Sequence, residues 1–192
     1  MSESARVRPL ALLDRDGVLN RDTGYPHRPE QIEWIDGALA ALALLCARGY
    51  RCVVVTNQSG IARGLYTEQD VEALHGWMAG EIVRAGGHIA AFYHCPYHPE
   101  AVIPQYRADH EDRKPRPGML LKALARFPTD LAQSFMIGDR QSDLDAAAAA
   151  GIAGHLFPGG ALDQFVGDIL AGYPNHQQTL MAGAPFEAGK GN

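Results

Sequence analysis

The sequence predicts an α/β fold in which helices cover both faces of a doubly wound, parallel, Rossmann-like sheet. Short apolar segments alternate with helical segments along the chain, and several apolar segments end in polar clusters. The 192 residues, of which 46% are hydrophobic and 20% are charged, suit one domain with a sizeable core. No internal repeat interrupts this pattern. We therefore expect residues 1–192 to form a single domain.

Four short apolar segments are predicted as buried strands. Residues 7–13 end at Asp-Arg-Asp-Gly, and residues 52–55 are rich in β-branched valine and end at Thr-Asn-Gln-Ser-Gly. Residues 88–94 and 134–137 are the third and fourth candidates.

Four longer segments are predicted as helices. They are residues 37–48, 67–85, 117–127 and 142–150. The first is rich in Ala and Leu and stops at a glycine, as does the last. The second begins at Thr67, a favoured N-cap residue, with Asp70 three positions later in place of the usual Glu or Gln.

Two segments are predicted to lack regular structure. Residues 95–114 are irregular and rich in proline, and loops of this length are usually functional. Residues 173–192 are expected to form a flexible tail.

Composition argues against several classes of protein. The net charge of −5 and the pI of 5.9 argue against nucleic-acid binding, because nucleic-acid-binding proteins carry a basic face. The apolar segments are shorter than the roughly 20 residues that span a bilayer, so we expect no membrane association. The N-terminus lacks a secretory signal, and the three cysteines form an odd, sparse set. We expect a cytoplasmic monomer.

Four polar clusters lie where strand ends are expected to meet in one crevice. They are residues 14–18, 56–60, 113–115 and 138–143. Taken alone, Asp-x-Asp-Gly is also a common turn or calcium-loop fragment. The convergence of all four clusters is what predicts a catalytic site.

The acidic residues supply the groups that phosphoryl transfer requires. Asp14 is the expected carboxylate nucleophile, and Asp16 is the expected general acid and then general base. Mg²⁺ held by the Asp14 carboxylate, the Asp16 backbone carbonyl and Asp139 would offset the repulsion between these acids and a phosphate. Asp143 is expected to orient Asp139 or a metal-bound water.

Other polar residues are expected to hold the phosphate oxygens. The Thr56 hydroxyl, the Asn57 groups and Lys114 form this electrostatic cradle. Simpler interpretations remain open, with Thr56 as a turn cap and Lys114 as a solvated loop charge. Asp143 and Asp145 also suit the first turn of a helix, where acids are favourable.

The motifs resemble those of the haloacid-dehalogenase (HAD) phosphatases. Asp-x-Asp-Gly-Val, Thr-Asn-Gln-Ser-Gly, Arg-Lys-Pro and Gly-Asp-x-x-x-Asp occur in that order, and the resemblance extends to Gly151. Longer matches resemble the branch that contains heptose-bisphosphate and histidinol phosphatases. This resemblance implies phosphorylation of Asp14 and a cap reduced to loops near residues 24–33 and 95–112. It also implies substrate contacts from Asn57, Gln58, Ser59, Arg63 and Arg113.

The second loop departs from the family pattern. The family usually holds this loop with zinc on Cys-x-His and Cys-x-Cys, whereas here Cys95-Pro-Tyr97 and His110-Glu-Asp112 occupy those places. One alternative is a rewired zinc site made by Cys95, His98, His110 and Asp112. The other is a loop without zinc, held by prolines and hydrogen bonds.

The expected substrate is a small phosphorylated sugar or metabolite. The resemblance favours the 7-phosphate of D-glycero-D-manno-heptose 1,7-bisphosphate, with histidinol phosphate as the alternative. A hypothesis of another class is a protein that binds phosphorylated metabolites without turnover. It is disfavoured because each catalytic position holds a competent residue.

Overall fold

The computed structural model describes residues 7–173, which contain a five-stranded, all-parallel sheet in the order β3-β2-β1-β4-β5. The strands are β1 (Leu10–Leu13), β2 (Arg51–Asn57), β3 (Ile89–Cys95), β4 (Phe135–Gly138) and β5 (Ala153–Leu156). The chain builds outward from β1 to β3 and then crosses to β4 on the other side of β1. This reversal opens a crevice at the carboxyl ends of β1 and β4. The predicted fold class is confirmed.

Helices cover both faces of the sheet. They are α1 (Ala38–Ala47), α2 (Ser59–Ala62), α3 (Glu68–Arg84), α4 (Gly118–Arg126), α5 (Gln141–Ala149) and α6 (Leu162–Ala171). One core combines α1, α3 and α6 with one face of the sheet, and a second core combines α4 and α5 with the other face.

Alternating residues of each strand feed the two cores. In β1, Leu10 and Leu12 belong to one core and Ala11 and Leu13 to the other, all with no exposed surface. Strands buried on both faces are continuously apolar, which explains why short apolar segments without polar alternation predict them correctly.

The predicted strands and helices are found with small changes at their ends. Strand β1 begins at Leu10, three residues later than predicted, because Pro9 has no N–H for the ladder. Strand β2 extends two residues beyond the predicted end, and its last residues pair with β3. Helix α3 has the predicted cap, in which Thr67 Oγ1 accepts from Asp70 N at 3.1 Å.

Among residues 7–173, two α-helices and one strand lie outside the predicted set: α2, α6 and β5. Helix α2 has four residues, too few for a periodic pattern. Strand β5 reads Ala-Gly-His-Leu, lies at the sheet edge and is largely exposed, so the apolar signal of a buried strand is missing.

The predicted tail begins with a residue that packs on the core. Tyr173 lies 5.6 Å from Phe135 between ring centroids. Residues 174–192 lie outside the described part of the chain. Within residues 7–173, no helix is both long and apolar enough to span a membrane.

Candidate active site

Lys114 joins two carboxylates at the carboxyl end of the sheet. Its Nζ lies 3.0 Å from Asp14 Oδ2 and 2.7 Å from Asp143 Oδ1, and it donates to Val55 O at 2.8 Å. Lys114 thus makes two ion pairs and one hydrogen bond. Lys114 is 3% exposed, which contradicts its interpretation as a solvated loop charge.

Burial and charge shift the pKa values of this group. Burial raises the pKa of Asp14 to about 6, against the opposing effect of Lys114. Burial alone would lower the pKa of Lys114, but Asp14 and Asp143 raise it overall. Burial and then Asp143 raise the pKa of Asp139. The raised pKa values of Asp14 and Asp139 mean that their negative charges are disfavoured in this crowded site, so an added cation would stabilise the ionised carboxylates.

Two glycines make this crowding possible. Gly17 has φ +88°, and a Cβ there would lie 2.3 Å from Asp139 Oδ2. A Cβ on Gly138 would lie 2.1 Å from Asp143 Cβ. Neither distance is sterically possible, so both positions require glycine. Gly17 leaves space for the Asp139 carboxylate, and Gly138 leaves space for the Asp143 side chain.

Asp16 follows two residues after Asp14, and donors surround its carboxylate. Arg15 Nε donates to Oδ1 at 3.1 Å and Arg15 Nη2 to Oδ2 at 2.9 Å. Asn20 Nδ2 donates to Oδ1 at 2.9 Å, and Gln58 Nε2 donates to Oδ2 at 2.9 Å. Each carboxylate oxygen thus accepts two hydrogen bonds, which fixes its direction in the cleft.

Residues at the end of β2 form the opposite wall. Thr56 is 1% exposed, and its hydroxyl accepts from Gln58 Nε2 at 2.9 Å. The Asn57 side chain donates to Lys114 O at 3.0 Å and accepts from Lys114 N at 3.1 Å. Both ends of the Asn57 amide are therefore used to hold the backbone of the residue that carries the ammonium.

Two of the three remaining predicted substrate residues line one cleft of about 510 Å³. Ser59 and Arg113 line it together with the acids and the β2 end. Arg113 is half-buried and donates to Tyr97 O at 3.2 Å, while burial and the nearby Arg63 lower its pKa. Arg63 is exposed, at the end of α2, and is not part of the cleft lining.

The acidic cluster has the donor set that Mg²⁺ prefers. Oxygens of Asp14, Asp139 and Asp143 lie within 4.8 Å of one another, the one such group of three or more among residues 7–173. Within the same residues, the buried Oδ1 of Asp139 has no hydrogen-bond partner. A hard cation with oxygen ligands fits an orphaned carboxylate oxygen of this kind.

The four zinc candidates are not brought together as a metal-binding group within residues 7–173. His98 Nδ1 accepts from Glu100 N at 3.1 Å, and His110 Nδ1 accepts from Asp112 N at 3.1 Å. Asp112 pairs with Lys122 at 2.5 Å, and Cys95 is fully buried in a hydrophobic core.

An aromatic stack holds this loop instead. The ring of His110 stacks on that of Tyr97, with centroids 4.1 Å apart. Tyr97 is also in edge contact with Tyr106, whose hydroxyl donates to Glu68 at 2.7 Å at the start of α3. The loop is thus fastened to the helical side of the cleft by rings and hydrogen bonds.

Two residues of the site were missed by sequence reasoning. Arg15 has no role in the site predicted from the sequence, but it is fully buried beside Asp16. Tyr66 lines the cleft and donates to Gln58 Oε1 at 2.7 Å. No local pattern in the sequence signals the burial of Arg15, whose charge requires a partner once it is buried.

Comparisons with known proteins identify the family of this chain. A family model described as HAD-hydrolase-like matches residues 112–179. A D-glycero-beta-D-manno-heptose-1,7-bisphosphate 7-phosphatase from Rhodopseudomonas palustris is 46% identical over 170 residues, which is 88% of this chain and 94% of the relative. The chain belongs to the HAD phosphatases. The family assignment and its hydrolase activity therefore confirm the resemblance seen in the motifs.

Two further proteins are similar to this HAD phosphatase. A D-glycero-alpha-D-manno-heptose-1,7-bisphosphate 7-phosphatase from Burkholderia mallei is 44% identical over 73% of this chain and 74% of the relative. The solved D,D-heptose 1,7-bisphosphate phosphatase from B. bronchiseptica, complexed with magnesium and phosphate, matches with a TM-score of 0.70. It is 32% identical and covers 92% of this chain and 99% of that one.

Proposed function

We propose that this HAD phosphatase hydrolyses the 7-phosphate of D-glycero-D-manno-heptose 1,7-bisphosphate through a phosphoaspartate on Asp14. The observation that carries the proposal is the Asp14–Lys114–Asp143 ion cluster at the base of a polar cleft. Lys114 holds Asp14 at 3.0 Å and provides positive charge beside the oxygens of a bound phosphate.

In the first half-reaction the Asp14 carboxylate attacks phosphorus. The bond between phosphorus and the sugar oxygen breaks, and Asp16 gives its proton to that oxygen. Protonation of one Asp16 oxygen takes the place of one of the four hydrogen bonds that the carboxylate accepts, and the other oxygen still accepts from Arg15. The products are the sugar alcohol and the phosphoaspartate.

In the second half-reaction the Asp16 carboxylate takes a proton from water, and the water oxygen attacks the phosphorus of the phosphoaspartate. The bond from phosphorus to Asp14 breaks, inorganic phosphate forms, and both acids regain their starting states. Thr56 and Lys114 face this charge from the end of β2 and from the loop before α4.

The expected metal is Mg²⁺, held by Asp14, Asp139 and the backbone carbonyl of Asp16. When bound, it neutralises charge on the phosphate and on the acids. Asp143 is 1% exposed and paired with Lys114, so it is suited to orienting Asp139 or a metal-bound water rather than to binding substrate.

The cleft also suits a polyhydroxylated, doubly phosphorylated substrate. Its rim carries aromatic, acidic and basic groups that offer hydrogen bonds to sugar hydroxyls and charge to a second phosphate. These groups are Asp22, Tyr25, Tyr66, Arg113, Arg140 and Ser142. The named activities of the relatives at 44% and 46% identity support the same substrate class.

Asp14→Asn tests the nucleophile. This variant should lose magnesium-dependent hydrolysis while keeping its fold, measured by phosphate release and circular dichroism. Asp145→Asn is the matched control, since Asp145 is an exposed acid on α5 bonded to Gln141. Unchanged activity in Asp14→Asn would show that the nucleophile lies elsewhere.

A phosphate-release screen tests the substrate. Both anomers of the heptose bisphosphate and histidinol phosphate should be compared at matched concentrations by kcat/KM. We expect a heptose bisphosphate to be preferred. A preference for histidinol phosphate would move this chain to the other activity of its branch, and preference for a third monoester would reject both.

The screen also tests the binding hypothesis. If wild-type protein turns over no monoester with Mg²⁺ present, the interpretation of a binding protein without turnover replaces the proposed enzyme.

A further inference from the structure

Arg15 is the largest fully buried side chain of residues 7–173. It lies between the two acids that we propose carry the reaction, on the turn that follows β1. Burying a guanidinium is strongly unfavourable unless its charge and its donors are satisfied. A charge retained in such a place is expected to have a partner that depends on it.

The partner is Asp16. Arg15 Nε and Nη2 make two parallel hydrogen bonds to its carboxylate, at 3.1 and 2.9 Å, the fork geometry that fixes both distance and plane. The Asp16 side chain is 19% exposed, so it reaches the cleft while Arg15 stays behind it. Among the described residues, this is the one ion pair that Arg15 makes.

The other contacts of Arg15 hold the guanidinium in place. Nη2 also donates to Pro26 O at 2.9 Å and to Gln58 Oε1 at 3.2 Å. Nη1 lies 3.5 Å from His75 Nε2 on helix α3. Burial, and then the charge of Arg15, lower the pKa of His75 to about 2, so this ring is neutral and does not repel the guanidinium.

Gln58 extends the arrangement to the phosphate cradle. Its amide accepts from Arg15 and Tyr66 and donates to Asp16 Oδ2 and Thr56 Oγ1. The carboxylate and the hydroxyl on opposite sides of the cleft are therefore tied to one buried network anchored by Arg15.

We propose that Arg15 is a positioning residue that aims the Asp16 carboxyl at the leaving oxygen and then at the attacking water. The inference rests on the proposed function, because it requires Asp16 to be the general acid and base. Arg15 itself lies outside the cleft lining, so its effect on the reaction passes through Asp16.

The leaving group provides the test. A sugar phosphate expels an alkoxide, which needs a proton from Asp16, whereas 4-nitrophenyl phosphate expels a stable anion that leaves without one. Since kcat/KM covers the steps up to departure of the leaving group, it isolates the acid role of Asp16. Arg15→Met should lower kcat/KM for the heptose bisphosphate roughly 10²-fold and for 4-nitrophenyl phosphate less than roughly tenfold.

Arg15→Lys provides the conservative variant. It keeps the buried charge but loses the two parallel hydrogen bonds, so we expect the same split with a smaller loss. If Arg15→Met does not fold, judged by circular dichroism, Arg15→Lys carries the test alone. Equal losses for the two substrates in the folded variants would overturn the proposal and assign Arg15 a structural role only.

A double-mutant cycle with Asp16→Asn separates this inference from the proposed function. With Asp16→Asn present, adding Arg15→Met or Arg15→Lys should change kcat/KM by less than roughly twofold, because contacting residues are non-additive. Losses that multiply would overturn the inference. If Asp16→Asn alone shows no leaving-group split, the acid assignment itself fails.

Arg51→Met is the matched control. Arg51 starts β2 at the opposite end of the strand, where its guanidinium lies 4.7 Å from the Phe127 ring centroid. This variant should affect the two substrates equally. A leaving-group split in Arg51→Met would mean that the split reports loss of any partly buried arginine, which would also overturn the proposal.

Discussion

Gly17 lets the Asp139 carboxylate approach the turn that follows β1. Its φ of +88° is a backbone conformation that residues other than glycine rarely adopt, and its missing Cβ leaves room for the Asp139 carboxylate. The position therefore combines a backbone requirement with a steric one. The two requirements can be separated, since other glycines of this chain have the first without the second.

Gly17→Ala should lose activity because of the steric requirement. The strain at positive φ costs about 1–2 kcal/mol, and the added methyl displaces the Asp139 carboxylate that lies 2.3 Å from it. We expect a lower free energy of unfolding by denaturant and a large loss of magnesium-dependent hydrolysis.

Gly151→Ala is the control, because Gly151 has φ +76° and open space around its Cβ position. It should lose similar stability and keep wild-type kcat. Equal kcat in both variants would show that the Asp139 carboxylate does not need its observed position.

Helix α3 contributes a buried, neutral histidine to the back of the site. His75 is 5% exposed and stacks on Phe92, with ring centroids 4.5 Å apart. Its pKa falls from 6.5 to about 2, mainly through burial. The folded state thus stays unprotonated at His75 over a pH range in which the unfolded chain takes up a proton.

This difference makes stability depend on pH. The contribution of His75 is fully present above pH 6.5 and is lost as the pH falls toward 2, because the unfolded state then binds more protons. Between pH 7 and pH 5 the loss is about 2 kcal/mol for one such histidine. Denaturant unfolding should show that the free energy of unfolding of His75→Gln falls less between pH 7 and pH 5 than that of wild type, by this amount.

His88→Gln is the matched comparison, since the His88 side chain is exposed. Its stability should follow the wild-type pH dependence. If the free energy of unfolding of His75→Gln falls with pH as much as that of wild type, the proton is taken up at another group.

The elements also show what sequence reasoning can reach. Buried strands such as β1 and β2 are locally apolar, and the cap of α3 is written in adjacent residues, so local patterns predict them. Strand β5 is formed by pairing with β4 at an exposed edge, which no local pattern records. The role of Arg15 was missed for a related reason, because burial is a property of the tertiary structure.

At the scale of the whole molecule, the site exists only in the folded chain. Asp14, Lys114, Asp139 and Asp143 come from separate parts of the sequence and meet because β1 and β4 are neighbours in the sheet. A cation that needs these carboxylates together binds the native state and not the unfolded chain. Its binding free energy therefore adds to the stability of the fold.

Mg²⁺ should raise the thermal unfolding midpoint, by the equivalent of about 2.7 kcal/mol at a hundredfold excess over its dissociation constant. Asp139→Asn should abolish this increment. Without Mg²⁺ the variant should be at least as stable as wild type, because burial and Asp143 already raise the pKa of Asp139 and make its charge costly.

Asp145→Asn should keep the full increment, with NaCl at equal ionic strength correcting for screening. An undiminished increment in Asp139→Asn would place the cation away from β4.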